Sequence, residues 1–228
     1  MTRVKPADAR IVESYERLFA VHGYAPKSLG WDKGKQFLRF HQLTSHWNLT
    51  GASILDVGCG FGDFVNYMRL MDVEPARYTG IDLVGEFITE AQRRFGSSTA
   101  GFVQTSLEDY APGTTFDYVI ASGTFNLKVE GVDGYEQIAR SLSKMFNLAG
   151  VAVSADFLSD RVDYAHEHNF NSAPEKILSM AYGLSRNVTL RNDYFPFEFC
   201  VTIYKDDSFS TNTTTFTRTE SRLPFLKS

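Results

Sequence analysis

The sequence predicts a doubly wound α/β fold: a seven-stranded, mostly parallel sheet with a C-terminal antiparallel hairpin, preceded by a helical segment. Three observations carry this. Between residues 53 and 155, short and nearly continuous apolar runs alternate with helical stretches, as expected of a parallel sheet buried on both faces. Two later runs alternate polar with apolar residues and are joined by turn-forming residues, which reads as a hairpin rather than another crossover. A glycine-rich loop stands between the first strand and the helix that follows it.

Over residues 7–22, Ile11, Val12, Tyr15, Leu18 and Phe19 recur at helical spacing, and the pattern stops at His22-Gly23 before a turn at Tyr24-Ala25-Pro26. A second helical stretch, residues 33–46, puts Phe37, Phe40, Leu43 and Trp47 on one side and is broken by Asn48-Leu49-Thr50-Gly51. Residues 1–50 therefore form a helical lid ahead of the sheet. Strands follow at 53–57, 78–81, 102–105, 116–121 and 150–155, with helices at 63–71, 85–95 and 133–147. Residues 156–173 read as a polar, aromatic loop, and 174–182 as a short helix opened by Pro174 and closed by Gly183. The hairpin strands are 186–191 and 197–204, around Asn192-Asp193-Tyr194-Phe195-Pro196. The sheet domain thus spans 51–206, and residues 207–228, rich in Ser and Thr, read as a loosely held tail.

At 228 residues the chain has room for one domain with additions, at roughly 150 residues per domain. With 23 Lys and Arg against 27 Asp and Glu, the net charge of −4 provides no general field for nucleic acid or an anionic membrane. The two cysteines, Cys59 and Cys200, form neither a disulfide framework nor a Cys-x-x-Cys metal clip, which fits a reducing, cytoplasmic setting. No signal-like segment opens the sequence and no run of about 18 apolar residues occurs, so a protein with no membrane span is expected.

The most informative segment is Ile54-Leu55-Asp56-Val57-Gly58-Cys59-Gly60-Phe61-Gly62-Asp63-Phe64. Glycine at every second position lets main chain approach a ligand closely and permits positive φ. Asp82 follows Gly62 by 20 residues and ends the second strand, which places a carboxylate beside the loop, where its two oxygens suit the two hydroxyls of a ribose. A dinucleotide reading wants a third glycine three positions after Gly60. Asp63 stands there instead, a poor neighbour for phosphates.

These residues resemble class I S-adenosylmethionine-dependent methyltransferases of the small-molecule type over about residues 53–205. Leu55-Asp56-Val57-Gly58-Cys59-Gly60-Phe61-Gly62 is similar to the first motif of that family and Tyr78-Thr79-Gly80-Ile81-Asp82-Leu83 to the second. Phe102-Val103-Gln104-Thr105-Ser106-Leu107-Glu108 stands at the third, with Ser106 where the family usually has Asp, a hydroxyl that can bond the adenine amino group. Ala121-Ser122-Gly123-Thr124-Phe125-Asn126 resembles the segment after the fourth strand. The resemblance implies a Rossmann-like methyltransferase fold and S-adenosyl-L-methionine as cofactor, held by Asp56, Gly58, Cys59, Gly60, Asp82, Leu83, Ser106, Leu107 and Ser122, with Trp31 and Arg39 from the lid.

Methyl transfer from a sulfonium is an in-line displacement with a neutral leaving group, so positioning and exclusion of water carry the chemistry. Trp31 could lie against the cofactor, and Lys35 or Arg39 could meet its methionyl carboxylate. A base for an oxygen acceptor is expected in the loop that holds Asp156, Asp160, Asp163, Tyr164, His166, Glu167 and His168. His166 and His168 lead because imidazole titrates near neutrality, and Asn126 joins them as a catalytic candidate. No metal is expected, since His-x-His supplies only two ligands and Ala121-Ser122-Gly123 has no carboxylate. The prolines of base-flipping methyltransferases are absent after the fourth strand, and no basic stripe appears, which argues against nucleic acid. Phe125, Tyr164, Phe170, Tyr182, Asn126 and Asn169 suit a sugar, nucleoside or other polar acceptor, or are core packing. A nucleic-acid methyltransferase and a catalytically silent binding domain are the alternatives; the oligomeric state is left open.

Overall fold

The computed structural model describes residues 6–30 and 35–206. Its elements are α1 (Pro6–His22), a 3-10 turn (Pro26–Leu29), α2 (Gln36–Thr44), β1 (Ser53–Val57), α3 (Asp63–Leu70), β2 (Arg77–Asp82), α4 (Gly85–Phe95), β3 (Ala100–Gln104), β4 (Phe116–Ala121), α5 (Gly134–Leu148), β5 (Ala149–Leu158), α6 (Pro174–Tyr182), β6 (Val188–Arg191) and β7 (Glu198–Tyr204). The strands form one seven-stranded sheet in the order β3-β2-β1-β4-β5-β7-β6. Pairings from β3 through β5 are parallel, and β7 runs antiparallel to both β5 and β6. The sheet class and its closing hairpin are as the pattern predicts.

The order reverses beside β1, between β2 and β4, so the C-terminal ends of β1, β2 and β4 open onto a shared crevice, the place where such sheets bind ligands. Two apolar clusters hold the sheet. One, with Leu55, Val119, Leu142, Val153, Phe157 and Phe199, joins β1, β4, β5 and β7 to α5 and α6. The other, with Ile54, Phe64, Tyr67, Met68, Tyr78 and Ile120, seats α3 and takes Phe40 of α2. A third, smaller cluster of Phe61, Val84 and Phe87 receives Tyr15, Phe19 and Leu29 from the N-terminal segment. Apolar burial on one face of each helix thus fixes the N-terminal segment, the expected lid, to the rim of the crevice.

Several boundaries differ from those expected. The loop expected from residue 156 begins later, because β5 continues to Leu158. Asp156, Phe157 and Leu158 pair with Cys200, Phe199 and Glu198 of β7, and Asp156 is buried rather than loop-borne. The second helix ends at Thr44, and Trp47 leaves its face to stack on Tyr118, with ring centroids 4.5 Å apart. The turn expected from Tyr24-Ala25-Pro26 is a 3-10 turn opened by Pro26. Phe125 belongs to the core, stacked on Phe157 at 5.4 Å, and Phe170 packs edge-on against Tyr135. The Ser- and Thr-rich tail lies outside the described residues. No helix among the described residues is long and apolar enough to cross a membrane.

Candidate functional site

The loop after β1 is built so that only glycine fits at its key positions. Gly58 and Gly60 have φ of 70° and 53°, and a Cβ on Gly60 would stand 2.9 Å from Leu29 Cδ2. The amides of Gly58 and Cys59 donate to the carbonyl of Ile81 at 2.8 and 3.0 Å, which staples the loop to the end of β2. The next amide, Gly60 N–H, donates to Asp82 Oδ2 at 2.9 Å, and Val84 N–H donates to Oδ1 at 2.9 Å. Loop and acid therefore face the same place. Each Asp82 oxygen keeps lone-pair capacity after these bonds. Burial pushes the Asp82 carboxyl up from its ordinary value, and the donating amides oppose that shift.

Asp56 and Cys59 lie inside the protein beneath the loop. Asp56 Oδ2 accepts the Tyr78 hydroxyl at 2.8 Å, and burial pushes its carboxyl up to about 7. The Cys59 thiol, also raised by burial, fills the space that a Cβ on Gly80 would take, at 2.8 Å. Leu83 is half-buried and its carbonyl accepts from Gln104 Nε2 at 3.2 Å. Ser106 caps the turn after β3: its hydroxyl donates to Asp109 Oδ2 at 2.8 Å and accepts from Asp109 N–H at 3.0 Å, while Leu107 packs on the main core. Past β4, Ser122 Oγ and Gly123 N–H donate to the two oxygens of Asp156, at 2.8 and 2.6 Å.

The lid covers this crevice with aromatic and aliphatic side chains. Tyr15 packs edge-on against Phe87, and burial together with the Asp82 charge pushes its hydroxyl up to about 12. Phe19 and Tyr24 lie against Phe61 at 5.7 and 4.9 Å. The Tyr24 hydroxyl donates to Asp63 Oδ1 at 2.6 Å, and the Arg94 guanidinium stands 3.5 Å above the Tyr24 ring. Asp63, which replaces the third glycine of a dinucleotide loop, thus ties down the lid. Trp31 lies outside the described residues. Arg39 is buried rather than facing solvent from its helix: Nε donates to Glu198 Oε2 at 2.8 Å, and its second nitrogen pairs with Oε1. The guanidinium expected at the methionyl carboxylate is thereby engaged within the protein.

A cavity of about 910 Å³ opens between the lid, the segment after β4, the loop after β5 and the β6–β7 turn. Leu29, Lys35, Arg39, Gly123 and Asn126 are among its walls, as are His166 and His168. Both histidines are exposed and stack on each other at 5.6 Å, with Tyr164 edge-on to His166 at 5.0 Å. Asn126 is buried, and its Oδ1 accepts from Leu158 N–H at 2.9 Å, which ties the segment after β4 to the end of β5. The structure brings His166, His168 and Asn126 to one cavity. Among the described residues no group of three or more His, Cys, Asp or Glu side chains stands close enough to hold a metal ion.

Sequence reasoning missed Glu198 and the apolar wall formed by Phe195, Pro196 and Phe197. Signals for both exist: a lone carboxylate inside the apolar run Phe197 to Tyr204, and a hairpin turn too rich in Phe for a solvated loop.

Comparison with known proteins agrees with this geometry. Residues 54–145 match the methyltransferase domain family. The chain is 32% identical over 107 residues to phthiotriol/phenolphthiotriol dimycocerosates methyltransferase 1 of Mycobacterium ulcerans, covering 46% of this chain and 36% of that one. It is 33% identical over 82 residues to the fatty-acid O-methyltransferase of Mycolicibacterium smegmatis, covering 36% of this chain and 30% of that one. The chain spans less than half the length of these curated relatives. Among solved structures, magnesium protoporphyrin IX methyltransferase from Synechocystis PCC 6803, with bound S-adenosylmethionine, superposes with a TM-score of 0.63 at 14% identity, covering 90% of this chain and all of that one. The N-methyltransferase NodS from Bradyrhizobium japonicum, with S-adenosylhomocysteine, gives 0.62 at 15% identity, covering 86% and 98%. Residues 54–145 thus match a methyltransferase domain, and the chain has the fold of these methyltransferase structures, in keeping with its motifs.

Proposed function

We propose that the chain binds S-adenosyl-L-methionine between the glycine loop and Asp82 and transfers its methyl group to a hydroxyl or amine of a small molecule held in the 910 Å³ cavity. One observation carries the reading: Gly60 N–H and the Asp82 carboxylate meet at 2.9 Å at the shared mouth of β1 and β2, directly beneath the lid. Asp82 oxygens with spare lone pairs suit the ribose hydroxyls, and Ser106 Oγ, still able to accept, suits the adenine amino group. Asp56 and Cys59 support the loop from below, and Leu83, Leu107 and Ser122 line its approaches.

Bound cofactor supplies the electrophilic methyl group. The protein's part is to hold the acceptor in line with it and to keep water out. The lid supplies the dry cover through Tyr15, Phe19 and Leu29. Asn126, locked by Leu158 N–H, holds the floor, and His166 or His168 takes the proton from a hydroxyl or ammonium acceptor. The polar acceptor is a sugar, nucleoside or similar metabolite, and the half-apolar wall of the cavity also accommodates an amphipathic one. The named relatives include enzymes for a fatty acid and for dimycocerosates, which supports apolar surface in the acceptor.

Titration calorimetry with S-adenosylmethionine, S-adenosylhomocysteine and NAD tests the reading. Heat with the first two and none with NAD is expected. Heat with none of them turns the chain into a silent scaffold, and methyl uptake by RNA or DNA would move it to the nucleic-acid class.

A further inference from the structure

We propose that the acceptor carries an anionic group seated on Lys27 and Lys35 of the lid, next to an apolar or aromatic body lying on the β6–β7 turn. This inference rests on the methyltransferase reading of the same cavity. The walls carry four fixed cations, Lys27, Lys35, Arg39 and Arg161, against two carboxylates, Asp163 and Glu198. The whole chain, by contrast, has a net charge of −4. An anion is repelled by the molecule at large and drawn to this one concavity, where converging charges raise its local concentration.

Pairing sharpens the excess. Arg39 and Glu198 neutralise each other, with side chains only 6% and 1% exposed. Arg161 is engaged by Glu175 and lies 3.6 Å from Asp160. Lys27 and Lys35 have no carboxylate within ion-pair distance among the described residues, and Asp163, on the loop after β5, is the one lining carboxylate without such a cation. Lys27 lies in the 3-10 turn and Lys35 at the start of α2. Lys35 Nζ stands 5.2 Å from the ring centroid of Phe195, a cation–π contact that holds the ammonium at the β6–β7 turn.

The opposite wall is apolar. Phe195 and Phe197 are stacked at 5.2 Å with an interplanar angle of 12°, and Pro196 stands between them in sequence. Phe195 itself is buried beside Phe197 and the Lys35 ammonium, so the apolar surface left to a ring or an alkyl chain is that of Pro196 and Phe197, while an ammonium without a carboxylate partner asks for an external anion. Phosphate and carboxylate share the needed chemistry. The bidentate fork that would select between them belongs to arginine, and both lining arginines are occupied within the protein.

The test uses the full chain loaded with S-adenosylhomocysteine and four matched probes: phenyl phosphate, benzoate, benzyl alcohol and benzylamine. Binding is read by ligand-observed NMR. Both anions are expected to bind about tenfold or more tightly than the alcohol and the amine, equal to about 1.4 kcal/mol. The double variant Lys27→Gln/Lys35→Gln should abolish that preference while S-adenosylhomocysteine affinity stays within about twofold, a fraction of a kcal/mol. Phenyl phosphate ahead of benzoate would assign the anion to a phosphate, and the reverse to a carboxylate. The proposal fails if benzylamine binds as well as the anions, if no probe binds, or if the variant keeps the preference. It also fails if the double variant weakens S-adenosylhomocysteine instead, since the lysines would then serve the cofactor's carboxylate. Absence of S-adenosylhomocysteine binding by the unaltered chain would sink the methyltransferase reading itself.

Discussion

The proposed cofactor half and the proposed acceptor half of the crevice are assembled by opposite means. Around β1 and β2 the parts are local: Gly60 and Asp82 are 22 residues apart and meet through one amide–carboxylate bond that the strand–loop–helix geometry almost dictates. Around β5 and β7 the parts are remote: Arg39 reaches Glu198 across 159 residues, and Lys35 meets Phe195 across a similar span. The first half is a motif, and the second is a junction. A junction depends on a few long-range contacts, so single substitutions there should disturb stability and lid docking, whereas those in the motif should disturb affinity.

The largest effect is expected at the junction. Removing one partner of a buried ion pair leaves an uncompensated charge and costs about 3–5 kcal/mol. Arg39→Met should lower the unfolding free energy in urea by about that amount, because Glu198 would remain buried near Asp156. The double variant Arg39→Met/Glu198→Met should recover most of the loss, since apolar replacement of both partners is often near neutral. A single variant as stable as the parent would show that the junction is not held by this pair.

Next comes the motif. Asp82→Ala removes the acceptor of two main-chain amides and of the proposed ribose hydroxyls, so affinity for S-adenosylmethionine should fall by about 1–3 kcal/mol, roughly 5- to 150-fold. Calorimetry on the folded variant reads this directly. A large loss of stability with unchanged affinity would reverse the contrast drawn between the halves.

Both halves contain a carboxylate whose titration is shifted the same way, which gives a third test. Burial raises Asp56 to about 7 and Asp156 to about 6. A raised value means the folded state holds the proton more tightly than the unfolded chain. The resulting stabilisation is complete below the ordinary carboxylate range and is lost as pH rises through about 6 to 7. Asp56→Asn should flatten the decline in thermal stability across that window, and Asp156→Asn should flatten its lower part. A parent protein that grows more stable over the same window would contradict both assignments.

The same division explains what could be read from sequence. Strand positions such as Ser53–Val57 and Phe116–Ala121 were legible because burial on both faces demands uninterrupted apolar runs. The glycine loop and Asp82 were legible because positive φ and close packing restrict the residue choice at each position. Asp156 was misplaced into a loop because a polar residue reads as a strand end, while its real partners, Ser122 and Gly123, lie more than 30 residues away. For Glu198 and the Phe195–Phe197 wall the sequence signals that these residues are unusual, but not what they meet, because nothing local announces that the hairpin will fold back against the N-terminal segment.

The smallest effect is expected where the two halves are joined by the lid. The Tyr24 hydroxyl donates to Asp63 at the start of α3, under the Arg94 guanidinium, and so ties the N-terminal segment to the cofactor side. Tyr24 is 40% exposed, so water competes for this bond and its worth drops to about 0.5 kcal/mol or less. Tyr24→Phe should leave global stability nearly unchanged, because the ring contact with Phe61 at 4.9 Å remains. Its signature should be local: faster hydrogen exchange over residues 19–30 and a faster off-rate for S-adenosylhomocysteine, with little change in the on-rate. Faster exchange spread over β5 and β7 as well would mean that the lid is coupled to the acceptor side through Arg39, and that the two halves open together.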